Sequence, residues 1–124
     1  MPPQLGSIYY MLSAQDMDRA VAFWRDAIGL EVKTQSPEWS ELTYPGIPTA
    51  VVALHGGGTG ELNRTGLGFD VADIAAACDE VERAGGKVAM APTDRPDEGI
   101  VLADLVDTEG NTFMFSAPFT AAAN

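Results

Sequence analysis

His55 is the only histidine in the chain and Cys78 the only cysteine, so proton transfer or nucleophilic attack must be built from a short list of side chains. An imidazole is the usual general base near neutral pH. His55 ends an apolar run, Thr49-Ala-Val-Val-Ala-Leu-His55, and opens a glycine run, Gly56-Gly-Gly-Thr-Gly60. It therefore reads either as a base at a strand end or as a solvated residue entering a loop. Cys78 lies on an apolar helical stripe, which favours a buried thiol over a nucleophile. Trp39 and Glu41 alternate along Trp39-Ser-Glu-Leu-Thr-Tyr44 and so share one face of a strand. An aromatic ring beside a carboxylate suits a planar or cationic ligand, and Trp39 as core packing is the competing reading. Asp94, Asp97 and Glu98 fall in a polar, proline-punctuated loop from Pro92 to Gly99, either solvated or serving as a lid. The glycine run is followed by neither Gly-Lys-Ser/Thr nor a helix, so it reads as a flexible connection and not a phosphate cradle.

The elements that must hold these residues come in two similar sets. Asp16 to Gly29 returns, at an offset of 57 residues, as Asp73 to Gly86. Asp16/Asp73, Ala20/Ala77, Ala27/Ala84 and Gly29/Gly86 are identical, and apolar positions agree more widely. Each copy begins with an aspartate suited to an N-cap and ends at a glycine suited to a left-handed C-cap. Apolar Ala20, Phe23, Trp24, Ala27 and Ile28 recur with helical spacing, which predicts a helix over Met17–Ile28 with Phe23 and Trp24 in the core. Strands are predicted at Ser7–Ser13, Leu30–Thr34, Trp39–Tyr44 and Thr49–His55. The second set is a strand at Thr65–Val71, a helix at Asp73–Ala84, then strands at Lys87–Ala91, Ile100–Val106 and Thr112–Ala117. Each half is thus strand, helix, three strands, which implies an α+β fold with helices on one side of mainly antiparallel sheet.

Bulk properties narrow the function classes. A chain of 124 residues with 46% hydrophobic content is expected to be one folded domain with its own core. No apolar run reaches the roughly 20 residues of a membrane span, and the N-terminus has no secretory pattern, so cytoplasmic residence is expected. The net charge of −11 argues against nucleic acid and anionic membrane as partners, because phosphate contacts need clustered Lys and Arg. It either attracts cationic small molecules or simply maintains solubility.

Two segments carry a resemblance to a known family. Asp16-Met-Asp-Arg-Ala-Val-Ala-Phe-Trp-Arg-Asp-Ala-Ile-Gly-Leu30 resembles the first helix of the vicinal oxygen chelate superfamily, the glyoxalase/bleomycin-resistance/dioxygenase fold. Asp107-Thr-Glu-Gly-Asn111 resembles its Asp-Pro-x-Gly-Asn turn, with Thr108 in place of proline. The likeness extends over about residues 5–117. It implies two βαβββ modules, about 5–55 and 65–117, joined by a linker at 56–64, each curling into half of a cup. In metal-dependent members, His and Glu side chains from four strands line that cup. The corresponding positions here are Tyr9, Ala53, Gly66 and Met114. Ala, Gly and Met are poor ligands for hard or borderline cations, so the resemblance implies a metal-free member with no cofactor.

By the same resemblance, Asp104 points into the cup, where it would pair with a cationic ligand, take a proton, or lie on an exposed edge. Tyr9, Met11, Trp39, Glu41, His55, Asp104 and Met114 form the expected lining, and Phe113 and Phe115 face the helices. The expected function is metal-free binding of an aromatic or cationic small molecule. The alternatives are a lyase, isomerase or dioxygenase-like enzyme that uses His55, Asp104 or a metal site elsewhere, and a structural dimer without ligand. Open sheet edges need cover, and the family commonly completes its cavities by pairing, so a homodimer is expected.

Overall fold

Apolar side chains at helical spacing and alternating strands favour a helix on one face of each sheet, and each of the two helices covers one face of its own module's sheet. The computed structural model describes residues 1–120, without the side chains of 48–51. The first module is β1 (Ile8–Ser13), α1 (Met17–Ile28), β2 (Glu31–Gln35), β3 (Trp39–Tyr44) and β4 (Ile47–His55). The second is β5 (Gly68–Asp70), α2 (Ile74–Arg83), β6 (Lys87–Arg95), β7 (Ile100–Val106) and β8 (Thr112–Pro118), with a 3-10 turn at Pro96–Glu98. The sheets have matching orders, β1-β4-β3-β2 and β5-β8-β7-β6. In each, the first and last strands pair in parallel and the other pairs are antiparallel. Neither sheet closes, and the fold is the expected α+β pair of βαβββ modules. No helix among the described residues is long and apolar enough to cross a membrane.

The caps work as the residue types require, with one difference. Asp16 accepts from Arg19 N–H and Asp73 from Ala76 N–H, so each aspartate satisfies an otherwise unpaired donor of its helix. Gly29 ends α1 at φ +83°. In the second copy α2 stops at Arg83, and Gly85, not Gly86, takes the left-handed conformation at φ +97°. Gly86 serves close packing instead: a Cβ there would lie 2.7 Å from Phe23 Cε1 and 2.8 Å from Val106 O.

One continuous core joins the modules. Trp24 is fully buried, with its ring centroid 4.9 Å from Phe113, 5.2 Å from Phe23 and 6.2 Å from Phe69. Phe115 and Val81 complete the seam, and Cys78 is buried beside it. Burial pushes the Cys78 thiol up, helped by nearby Asp79 and Glu82, so it behaves as packing and not as a nucleophile.

Two expectations need correction. The polar stretch after Ala91 is not a lid, because β6 continues through Pro92 to Arg95, with Asp94 paired opposite Val101. β6 is an edge strand, where proline's missing N–H and a row of exposed polar side chains cost little. The glycine run is not a loose tether. Gly56 donates to Glu38 O at 2.9 Å and Gly58 to Ala14 O at 3.0 Å. A Cβ on Gly56 would collide with Pro37 O, and one on Gly58 would lie 3.0 Å from the Ala14 backbone. Close backbone approach is what demands glycine there.

Candidate functional site

With helices on one face of each sheet, strand alternation sorts the remaining side chains onto an open face. Register aligns the open face of the first sheet in rows. Ser13, His55 and Trp39 form one row, and Met11, Ala53 and Glu41 the next. Tyr9 and Thr43 stand in a third, on either side of residue 51. Leu12, Leu42 and Leu54 point the other way and are fully buried. Tyr9 is 53% and Met11 57% exposed, so this face is presented to solvent.

Trp39 is fixed at its edge. Its indole N–H donates to Glu41 Oε2 at 2.8 Å, and Tyr9 meets it edge to face at a centroid distance of 6.2 Å and an interplanar angle of 88°. Lys33 Nζ lies 3.9 Å from Glu41 Oε1. Glu41 thus has a loose, solvent-exposed counter-charge in Lys33, although the β2–β3 register shifts there and sets Thr34 opposite Glu41. At the other end of the face, Ser13 Oγ lies 3.3 Å from His55 Nε2, and His55 Nδ1 lies 3.1 Å from Gly56 O. Ser13 is the residue that sequence reasoning passed over. Its partner is 42 positions away, and only the parallel pairing of β1 with β4 brings them together.

The open face of the second sheet carries Met90, Asp104, Met114 and Gly68 in one row, with Leu102, Ser116 and Asp70 in the next. Asp104 is half-buried between its methionine neighbours and has no ion-pair partner among the described residues. Asp70 accepts from the Ser116 hydroxyl at 2.9 Å.

The residues expected to line one cup thus fall into two groups. Tyr9, Met11, Trp39, Glu41 and His55 share the first open face, and Asp104 and Met114 share the second. The modules meet through their helices and core, not by turning the open faces toward each other. Of the positions aligned with the family's metal ligands, Tyr9 and Ala53 are on the first face, Met114 is on the second, and Gly66 precedes β5. Among the described residues, no three of His, Cys, Asp and Glu stand close enough to hold a metal ion. An apolar cleft of about 650 Å³ lies between residues of β1, α1 and β5, bordered by Tyr9 and walled by Ile8, Tyr10, Ile28, Phe69 and Phe115.

The turn at Asp107–Asn111 locks one end of the modules together. Asp107 Oδ1 accepts from the N–H groups of Glu109 and Asn111, and Oδ2 from Trp24 Nε1 and Asn111 Nδ2. Glu109 accepts from Arg19 Nε at 2.7 Å and from the N–H groups of Gln15 and Asp16. Asn111 donates to Ser13 O and accepts from Ser13 N–H. These bonds hold the end of β1, and with it Ser13, against the second module.

Comparison with known proteins agrees with this architecture. The structure is similar to TnmS3, an antibiotic-binding protein from Streptomyces sp. CB03234, with a TM-score of 0.75 at 20% identity, covering 96% of this chain and 100% of that one. A glyoxalase-related enzyme from Fulvimarina pelagi gives a TM-score of 0.75 at 16% identity, covering 96% and 94%. TioX from Micromonospora sp. ML1 gives 0.72 at 18% identity, covering 92% and 99%. At these identities the likeness is one of fold. No curated protein matches the sequence. The profile of the Glyoxalase/Bleomycin resistance protein/Dioxygenase superfamily matches residues 6–115, nearly all of the repeated unit described above, and the chain belongs to that superfamily.

Proposed function

We propose that this protein binds a small organic molecule, planar and aromatic or cationic, on its open sheet faces without a metal ion. The observation that carries this reading is Trp39. Its ring is half-exposed, tethered at its N–H to Glu41 and flanked edge-on by Tyr9. A ring already fixed in place loses little entropy when a flat ligand stacks on it. Met11 adds adaptable apolar surface, and Asp104 is a carboxylate available to a cation. Tyr9, Ala53, Gly66 and Met114 at the family's metal positions support metal-free binding, and the name of TnmS3 as an antibiotic-binding protein is consistent with it.

A second copy would complete the site. The edge strand β1 exposes Ile8, Tyr9, Tyr10 and Met11 together, more apolar surface than a solvated edge sustains. In the same reading the protein works in the cytoplasm as a homodimer, with neither nucleic acid nor membrane as partner, in keeping with its charge of −11.

The test is calorimetry with planar aromatic cations and antibiotics, followed by product analysis of each ligand that binds. Ligands should be recovered chemically unchanged at the end, in amounts exceeding one per protein chain. Trp39→Ala should weaken binding by about tenfold, the loss of roughly 1.4 kcal/mol of stacking. Repeated conversion of a ligand that carries no activated ester or strained lactam, or affinity untouched by both Trp39→Ala and Asp104→Asn, would overturn it.

A further inference from the structure

Three groups at the end of the first open face stand in the order nucleophile, base, orienter. Ser13 Oγ is 3.3 Å from His55 Nε2, and His55 Nδ1 is 3.1 Å from the carbonyl oxygen of Gly56. A carbonyl oxygen only accepts, so Nδ1 must carry the ring proton for that contact to be a hydrogen bond. In the neutral ring Nε2 is then an acceptor, and the Ser13 hydroxyl donates to it. This is the polarity that a hydroxyl nucleophile and its base require. Gly56 O fixes tautomer and ring orientation as the third member of a triad does, though without a negative charge. Both side chains are only half-buried and lie on the face already read as the ligand surface. Gly58 packs against Ser13, where a Cβ would lie 3.1 Å from Ser13 Cβ.

The neighbouring backbone limits what this pair can do. The N–H groups of Ser13, Ala14, Gly56 and Gly58 donate to Asn111 Oδ1, His55 O, Glu38 O and Ala14 O respectively. None of these four is left for an oxyanion. Loss of one such donor costs an acyl-transfer enzyme about 10²–10³ in rate. Attack is therefore confined to acyl carbons already activated by a good leaving group. The resulting serine ester is an ordinary alkyl ester, and its hydrolysis passes through the same unsupported oxyanion, so it persists.

We propose that Ser13 and His55 form an acyl-accepting site that captures ligands bearing an activated ester or a strained lactam. Ser13 Oγ bonds to the acyl carbon as its proton passes to His55 Nε2. The bond from that carbon to the leaving oxygen or nitrogen breaks, and the leaving group takes the electron pair and, where basic enough, the proton from Nε2. A leaving group too weakly basic departs as an anion, and Nε2 returns its proton to water. Slow attack by water on the ester then yields a carboxylic acid and restores the Ser13 hydroxyl. Ser13 and His55 are the catalytic residues, and the Gly56 carbonyl is a positioning group. The proposal rests on the open face being a ligand surface, but its test does not require a ligand that fills the face.

The probe is p-nitrophenyl acetate, read by p-nitrophenolate release, intact mass and peptide mapping. The expected result is a burst of one p-nitrophenolate per chain, slow release thereafter, and one acetyl group on Ser13. Ser13→Ala should abolish the burst, and His55→Gln should slow acetylation by about a hundredfold, the size of a general-base contribution. An acetyl group only on Lys33, on the terminal amine or on His55 itself would overturn the proposal. So would a burst that survives Ser13→Ala, or an undiminished rate in His55→Gln. Should either variant fail to fold, mapping of the unaltered protein under excess reagent decides, since a Ser13 that stays unmodified while p-nitrophenolate is still being released also overturns it. Binding of a non-acylating aromatic cation, followed by thermal shift, tests the ligand surface separately, so the two readings fail independently.

Discussion

Asp107 and Glu109 are neighbours in one turn, yet the molecule treats their carboxyl groups in opposite ways. Burial pushes Asp107 up, only partly offset by hydrogen bonds from Asn111, Glu109 N–H and Trp24. Burial also works against ionisation of Glu109, but hydrogen bonds from Arg19, Asp16 N–H and Thr108, with the Arg19 charge, hold it below its ordinary value. A lowered folded pKa contributes stability that is present above the unfolded pKa and lost as pH falls through the folded one. Asp107, being raised, acts with the opposite sign: its contribution is lost as pH rises through its folded value. Glu109→Gln should therefore destabilise by about 1–2 kcal/mol near neutrality, a figure reduced because Arg19 is 47% exposed. The gap from the unaltered protein should narrow as pH falls through the carboxylate range. Urea unfolding at several pH values checks this, and a gap independent of pH would contradict it. Asp107→Asn should cost about 2 kcal/mol by the same measurement, because four donors converge on Asp107 and an amide NH₂ would face two of them.

At the scale of elements, the glycines separate strain from collision. Gly29 ends α1 at φ +83°, and a Cβ there would have nothing within 4 Å. Gly29→Ala should therefore cost only the left-handed backbone penalty, about 1 kcal/mol. Gly110 has φ +92°, and a Cβ there would also strike the carbonyl oxygens of Gly60 and Glu61. Gly110→Ala should cost at least twice as much, because the linker would have to move off the turn that locks the modules. Paired thermal denaturation of the two variants decides this, and equal costs would count against the packing of the linker. Helix α1 and strand β3 lie where their residue patterns predict, because caps and alternation are local signals. β6 does not, since Pro92 and a run of polar residues look like a loop until the strand is seen to be an edge.

At the scale of the whole molecule, two open faces and a net charge of −11 set the expectations. A cationic ligand should associate more slowly as salt rises, with little change in its dissociation rate, because screening weakens long-range attraction and leaves close contacts alone. Stopped-flow Trp39 fluorescence over a range of salt concentrations would measure both rates. The exposed apolar edge of β1 leads to a second expectation. Sedimentation equilibrium at micromolar concentration should give twice the 13.1 kDa of one chain, and Met11→Glu should shift it toward monomer.

The sequence alone determined the two modules, their helices and aspartate N-caps, the core placement of Phe23, Trp24, Phe113 and Phe115, and the strand faces on which Trp39, Glu41 and Met114 lie. Each of these follows from residues within a few positions of one another, where the 3.6- and 2-residue periods hold. Tertiary structure decided what those side chains meet. Register alone set Ser13 beside His55, and strand pairing set Lys33 near Glu41. Docking of the helices placed Arg19 on Glu109, 90 positions away. It also left the expected lining on two faces, not one, because the modules bury their helices against a common core and turn those faces outward.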